Sequence, residues 1–206
     1  MIQNFWKYIL LIFLFSSNLK STEYEITILA TNIANFGGIG EWSFSALLES
    51  EEESILFDTG FDENTVLHNA NLLKKDLSKV EKVILSHFHG DHTGGLIKLR
   101  KTYMNLNPQA FSDVYVAEGF FDQRFDEHGE LRGFIGGFNK VSDFKEKAEN
   151  LGINFIVIDE AYELAPNLVL SGPVERIFER VVVSPGFYLK ENGVLVDDLL
   201  KDDQSL

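Results

Sequence analysis

The chain has 206 residues, 45% of them hydrophobic and 24% charged, which excludes a disordered chain and allows one domain with its own core. Acidic residues outnumber basic ones 32 to 18, for a net charge of −14. That field repels nucleic acid, whose binding rests on Lys and Arg displacing counterions, and the absence of cysteine excludes disulfides and thiolate metal sites.

Residues 1–21 read as a leader outside the fold. Lys7 precedes the apolar run Tyr8 to Phe15, and Ser16, Ser17 and Asn18 follow. A positive start, a short apolar core and small polar residues make a secretory signal, and the run is well short of the roughly 20 residues of a membrane span. The expectation is export to the periplasm or medium. With Ser17 or Ser21 as the last leader residue, the residue two before it is Phe15 or Leu19 rather than a small one. Retention as an N-terminal membrane anchor therefore stays open beside cleavage.

Residues 22–206 read as one domain. Tyr24 to Ala30 predicts a strand, with Ile26 and Ile28 in period two. Trp42 to Leu48 and Ser54 to Phe57 predict two more, separated by the acidic turn Glu49 to Glu53. Val66, Leu67, Ala70 and Leu73 fall at helical spacing within Glu63 to Leu73. Lys82 to Leu85 is a strand that runs into a histidine cluster, and Gly94-Gly95 opens a helix to about Met104. Val114 to Ala117 is a strand. Ser142 to Leu151 is a helix with a serine cap and Gly152 at its end. Asn154 to Ile158, Leu168 to Ser171 and Val181 to Ser184 complete the strands. The Phe- and Gly-rich stretch Glu118 to Lys140 has no period and reads as a long loop or hairpin over the site. Alternating strands and helices predict an α/β layer whose loops carry the chemistry.

The chemistry concentrates in Ser86-His87-Phe88-His89-Gly90-Asp91-His92. In extended backbone His87 and His89 point the same way and can reach one ion. The Gly90 turn redirects the chain, so that Asp91 and His92 face a second ion or the far side of the first. Four ligand-type side chains fall in six residues, in a chain with five histidines.

The run His87-x-His89-x-Asp91-His92 followed by Thr93-Gly94-Gly95 resembles the signature of the metallo-β-lactamase superfamily. Ile55 to Gly60 is similar to that superfamily's strand ending in Asp-Thr-Gly. The resemblance implies an αββα sandwich, of which this chain would hold the N-terminal portion, and it implies that Asp58 holds the metal ligands from behind. Asp76 to Val80, Leu170 to Arg176 and Asp202-Asp203-Gln204 resemble the branch that includes archaeal dihydropterin-ribofuranosylaminobenzene phosphate synthases. In such proteins a later His in a Gly-Cys-x-His turn and a further His complete the site. Neither occurs here, and the expectation is a truncated reading of a longer enzyme, or else a short protein with a partial site. The two other histidines, His68 and His128, read as a solvated helix residue and a turn residue.

The implied activity is metal-assisted hydrolysis of a small-molecule ester, amide or phosphoester. One or two Zn²⁺ ions, with iron or manganese as alternatives, would bring the pKa of bound water to about 7. His87 and His89 would hold the first ion, and Asp91 and His92 the second. Asp91 would also hold or accept the proton of the attacking water. Phe120, Phe121, Phe125, Phe134 and Phe138 either line the pocket or pack under the loop, and Arg124 or Arg132 would meet an anionic group. The rival reading is an exported binding protein with a partial site. A synthase role conflicts with export, and a nuclease role with the acidic charge.

Overall fold

The computed structural model describes residues 23–174 and 186–206. The leader and the expected strand Val181 to Ser184 lie outside the described residues. Among the described residues no helix is long and apolar enough to cross a membrane.

Six strands form one mixed sheet in sequence order: β1 (Glu25–Ala30), β2 (Ser45–Glu49), β3 (Ser54–Phe57), β4 (Val80–Ile84), β5 (Asp113–Ala117) and β6 (Asn154–Ile158). The first three pair antiparallel, and β3 to β6 pair parallel. Parallel neighbours need crossovers, which here contain α1 (Thr65–Leu72), the single turn α2 (Gly90–Thr93) with α3 (Leu96–Tyr103), and α4 (Val141–Glu149).

The alternation of side chains along each strand builds two cores. Leu47, Leu56, Val83, Val114 and Val116 face the helices, where Val66, Ala70, Leu96, Leu99, Phe144 and Ala148 meet them. Ala46, Leu48, Ile55, Ile84, Tyr115 and Ile158 face the other way, under Leu164 and Leu170 of the hairpin β7 (Tyr162–Ala165) and β8 (Leu168–Leu170). A second hairpin, β9 (Tyr188–Glu191) with β10 (Val194–Asp197), pairs with Phe125 of the long loop. The fold is thus the expected mixed α/β type, with helices on one face of the sheet and a hairpin on the other.

Several expectations need correction. The second strand begins at Ser45, not Trp42, because Ser43 Oγ turns to Glu41 and Trp42 stands 79% exposed. Ser142 does not cap α4: Lys140 occupies that position, no side chain caps it, and Ser142 Oγ bonds Asp143 instead. Gly152 does follow the helix in the left-handed region, at φ 75°. The β7 strand and the β9–β10 hairpin have no counterpart in the sequence reading.

Candidate metal centre

Asp58 and the histidine run leave the sheet side by side because β3 and β4 are parallel neighbours that end level, with Phe57 opposite Ile84. The ladder continues one step further, as Asp58 N–H donates to the Ile84 carbonyl at 2.8 Å. Asp58 then turns at φ 57°, a conformation non-glycine residues rarely adopt. That turn aims its carboxylate at the next loop, where Oδ1 accepts from Ser86 N–H (2.7 Å) and Oδ2 from Ser86 Oγ (2.8 Å). Oδ2 also lies 2.6 Å from His92 Nδ1.

Thr59 and Gly60 fasten the far end of the same loop. Thr59 N–H and Oγ1 both donate to the His92 carbonyl, and Gly94 N–H donates to Gly60. A Cβ on Gly94 would collide with the Phe61 carbonyl, and one on Gly95 with the Thr59 carbonyl. The two segments approach that closely only because both positions are glycine.

The four candidate ligands gather on one loop. His87 Nε2 lies 3.0 Å from His89 Nδ1, and the rings of His87 and His92 are 4.2 Å apart at their centroids. His92 Nε2 lies 3.5 Å from Asp91 Oδ2. His87 Nδ1 bonds Ser86 Oγ at 3.0 Å. The rings thus point at one another, and among the described residues no three such side chains form a metal-coordinating group.

Two observations nevertheless fit these residues to a divalent ion. His89 Nε2 is buried with no hydrogen-bond partner, an expensive state for a polar atom unless a ligand takes its lone pair. His92 is held at Nδ1 by a carboxylate, which leaves Nε2 as the donor; that carboxylate–imidazole arrangement recurs behind metal-bound histidines. Imidazole nitrogen with carboxylate oxygen suits zinc, iron and manganese.

The electrostatics follow from burial. Desolvation pushes the His89 pKa down to about 4, with the charge of Asp91 pulling only partly against it, so the ring is a neutral donor at pH 7. Burial also acts downward on His92, but the bond and charge of Asp58, joined by Asp91 and Asp203, outweigh it and hold His92 above its ordinary value. Burial raises Asp58, against its bonds to His92 and Ser86. The three donors around that carboxylate favour its charged form.

His89 and Asp91 open onto a cavity of about 340 Å³ whose other walls are Trp42, Phe61, Phe134 and Phe187. Of the five phenylalanines singled out in the long loop, Phe134 lines this cavity. Phe120, Phe121 and Phe138 belong to the core beneath the helices, and Phe125 pairs with Tyr188. Arg124 does not face a ligand: it is fully buried between Asp198 and Asp202. Arg132 lies over the Phe187 ring and donates to the Gly186 carbonyl. His68 is an exposed helix residue bonded to the Gly37 carbonyl, and His128 sits exposed in a separate hollow with Asp126 and Arg132.

The family model described as the metallo-beta-lactamase superfamily matches residues 43–149, the stretch that runs from Ser43 through Asp58 and the histidine loop to the end of α4. The chain belongs to the metallo-β-lactamase superfamily. It is 30% identical over 175 residues to the 7,8-dihydropterin-6-methyl-4-(beta-D-ribofuranosyl)-aminobenzene-5'-phosphate synthase of Methanocaldococcus jannaschii, covering 80% of this chain and 57% of that protein. An uncharacterized protein of the same organism is 28% identical over 182 residues, covering 88% of this chain and 64% of its own length. Among solved structures, Tm1679, a metal-dependent hydrolase of the superfamily, superposes with a TM-score of 0.62 at 26% identity, covering 88% of this chain and 60% of that one. The chain therefore spans about three-fifths of the length of each of these relatives. Superfamily members are generally hydrolases and generally bind divalent metals.

Sequence reasoning missed Ser86, which bridges Asp58 to both His87 and His92, and it missed the part played by Asp202 and Gln204 behind the loop. The Asp202-Asp203-Gln204 motif was the available signal.

Proposed function

We propose that the protein is a metal-dependent hydrolase acting on a small molecule with an uncharged, apolar portion. The observation that carries this reading is the orphaned, buried Nε2 of His89, a residue that with Asp91 lines an aromatic-walled cavity. His87, His89, Asp91 and His92 would hold the ion, with zinc the first choice. When bound, it supplies Lewis acidity toward a carbonyl or phosphoryl oxygen and acidifies water at the site.

The chain's own residues do the rest. Asp91, half-buried at the cavity wall, would take the proton of the attacking water at its carboxylate. Asp58 keeps His92 in one orientation through Nδ1. The rings of Phe61, Phe134 and Phe187 form a continuous wall, with centroids 5.9 and 6.4 Å apart in sequence, that binds apolar substrate surface and excludes water. No Lys or Arg lines the cavity among the described residues, which favours an ester or amide over a phosphoester.

The test is hydrolysis of uncharged nitrophenyl esters by the zinc-loaded chain, with His89→Ala and Asp91→Asn beside it. Turnover that both variants abolish supports the reading. Equal turnover in parent and variants with metal still bound overturns it. A second reading, a binding protein with a partial site, draws on the finding that no three such side chains form a coordinating group among the described residues; zinc that binds with no turnover on any ester or amide favours it.

A further inference from the structure

A chain of buried contacts runs behind the histidine loop. Arg124, in the loop after β5, is 1% exposed, and its guanidinium donates to Asp198 Oδ2 (2.9 Å) and Asp202 Oδ1 (2.8 Å), both carboxylates fully buried. Its Nη1 donates to the carbonyls of Gly119, Phe120 and Asp122. The guanidinium carbon lies 3.7 Å from the centroid of the Phe88 ring. Asp202 Oδ2, the oxygen Arg124 does not use, accepts the Phe88 N–H at 2.8 Å.

Phe88 is the residue between His87 and His89. Its N–H marks the peptide that sets how far apart the two imidazoles stand, and Asp202 grips that peptide from behind. Gln204 holds the approach to it: its N–H donates to the Ser86 carbonyl at 2.9 Å, and its side-chain amide donates to the carbonyls of Leu85 and Tyr115. Asp198 N–H donates to the Phe187 carbonyl, which ties a wall of the cavity to the same assembly. One cation faces two carboxylates here, so the buried assembly leaves negative charge beside the metal loop.

We propose that Asp202, oriented by Arg124, is a positioning residue for the metal loop: it fixes the peptide between His87 and His89 and favours a cation in front of them. A clamp of this kind keeps two ligands in register without touching the ion, as hydrogen-bond partners of ligands do in other metal sites. It rests on the hydrolase reading above for the identity of the ion, but the grip on Phe88 is independent of it.

The experiment compares Asp202→Asn with Asp198→Asn in the full chain. Both remove one buried negative charge beside Arg124; in Asp202→Asn a single amide oxygen remains where two served Arg124 and the Phe88 N–H, and with that oxygen held by the guanidinium the Phe88 N–H faces an NH2 group. Two readouts are taken: hydrogen exchange of the Phe88 amide in metal-free protein, and zinc affinity by competition with a chromophoric chelator. The expected result is faster exchange at Phe88 in D202N alone, with zinc affinity lower by about 10- to 100-fold in D202N and by far less in D198N. Unchanged exchange at Phe88, or equal zinc affinity in the two variants, overturns the proposal. If the parent chain binds no zinc, the hydrolase reading falls while the exchange data still judge the clamp. Should D202N fail to fold, Asp202→Glu, which keeps the charge and displaces the acceptor, carries the same comparison.

Discussion

Asp58 and His92 meet at 2.6 Å, although they stand 34 residues apart, one just after β3 and the other in the helical turn α2. The carboxylate is fully buried, and the same Oδ2 accepts from Ser86 Oγ. This pair joins the Asp-Thr-Gly turn to the histidine loop, so each segment holds its shape only when the other is in place. Replacing Asp58 by Ala strands the donors of Ser86 and His92 in the interior. The expected cost is about 3–5 kcal/mol, the usual range for breaking a buried pair, measured by urea unfolding of parent and variant. Asn at the same position, which keeps an acceptor, should cost less.

His89 should show the opposite balance. Its Nε2 gains nothing from folding because no partner meets it, so His89→Leu should change stability by no more than about 1 kcal/mol while removing zinc binding. A large loss of stability in the metal-free variant would show instead that the Nδ1 contact with His87, at 3.0 Å, holds the loop.

Gly94 tests the close approach of the two segments. A Cβ there would run into the Phe61 carbonyl oxygen, a backbone atom that cannot swing aside. Gly94→Ala should destabilise the chain by about 1–3 kcal/mol or more, and a Thr93→Ser control, which keeps the hydroxyl bonded to the His89 carbonyl, should cost less. Thermal unfolding of the two variants makes the comparison.

Asp202 gives a pH signature. Burial pushes its pKa up to about 6, with Arg124 pulling down and Asp198 pushing up, against about 3.9 in an unfolded chain. The folded state therefore binds this proton more tightly, and the contribution is fully present below about pH 4. It is lost as pH rises through about 6, at a cost of roughly 3 kcal/mol. Stability of the parent relative to D202N should fall between about pH 4 and pH 6; a flat difference across that window would contradict the assignment.

Local features were legible in the sequence and distant partners were not. Ser54 to Phe57 and Asn154 to Ile158 were placed to the residue, because β-branched and aromatic runs bounded by turn residues signal strands. His87, His89, Asp91 and His92 stood out because a ligand cluster on one loop is itself local. Arg124 read, with Arg132, as a candidate to meet an anionic group because its partners, Asp198 and Asp202, lie 74 and 78 residues away. The phenylalanines of the long loop were ambiguous for the same reason: Phe134 faces the cavity and Phe120 the core, and nothing in their neighbourhood separates them. The strand Tyr162–Ala165 was missed since it is short and its first half is exposed. Ser142 misled because a capping residue type one position inside a helix is indistinguishable from a cap by sequence alone.

The central claim is that this loop holds a divalent cation through His89 and its neighbours, and equilibrium dialysis of the parent chain and His89→Ala against zinc tests it most directly. The account predicts that the parent retains zinc and gains stability from it, by about 2.7 kcal/mol at one hundred times the dissociation constant, and that a chelator reverses the gain. H89A should show neither effect. Zinc retained equally by both proteins, or by neither, would contradict it.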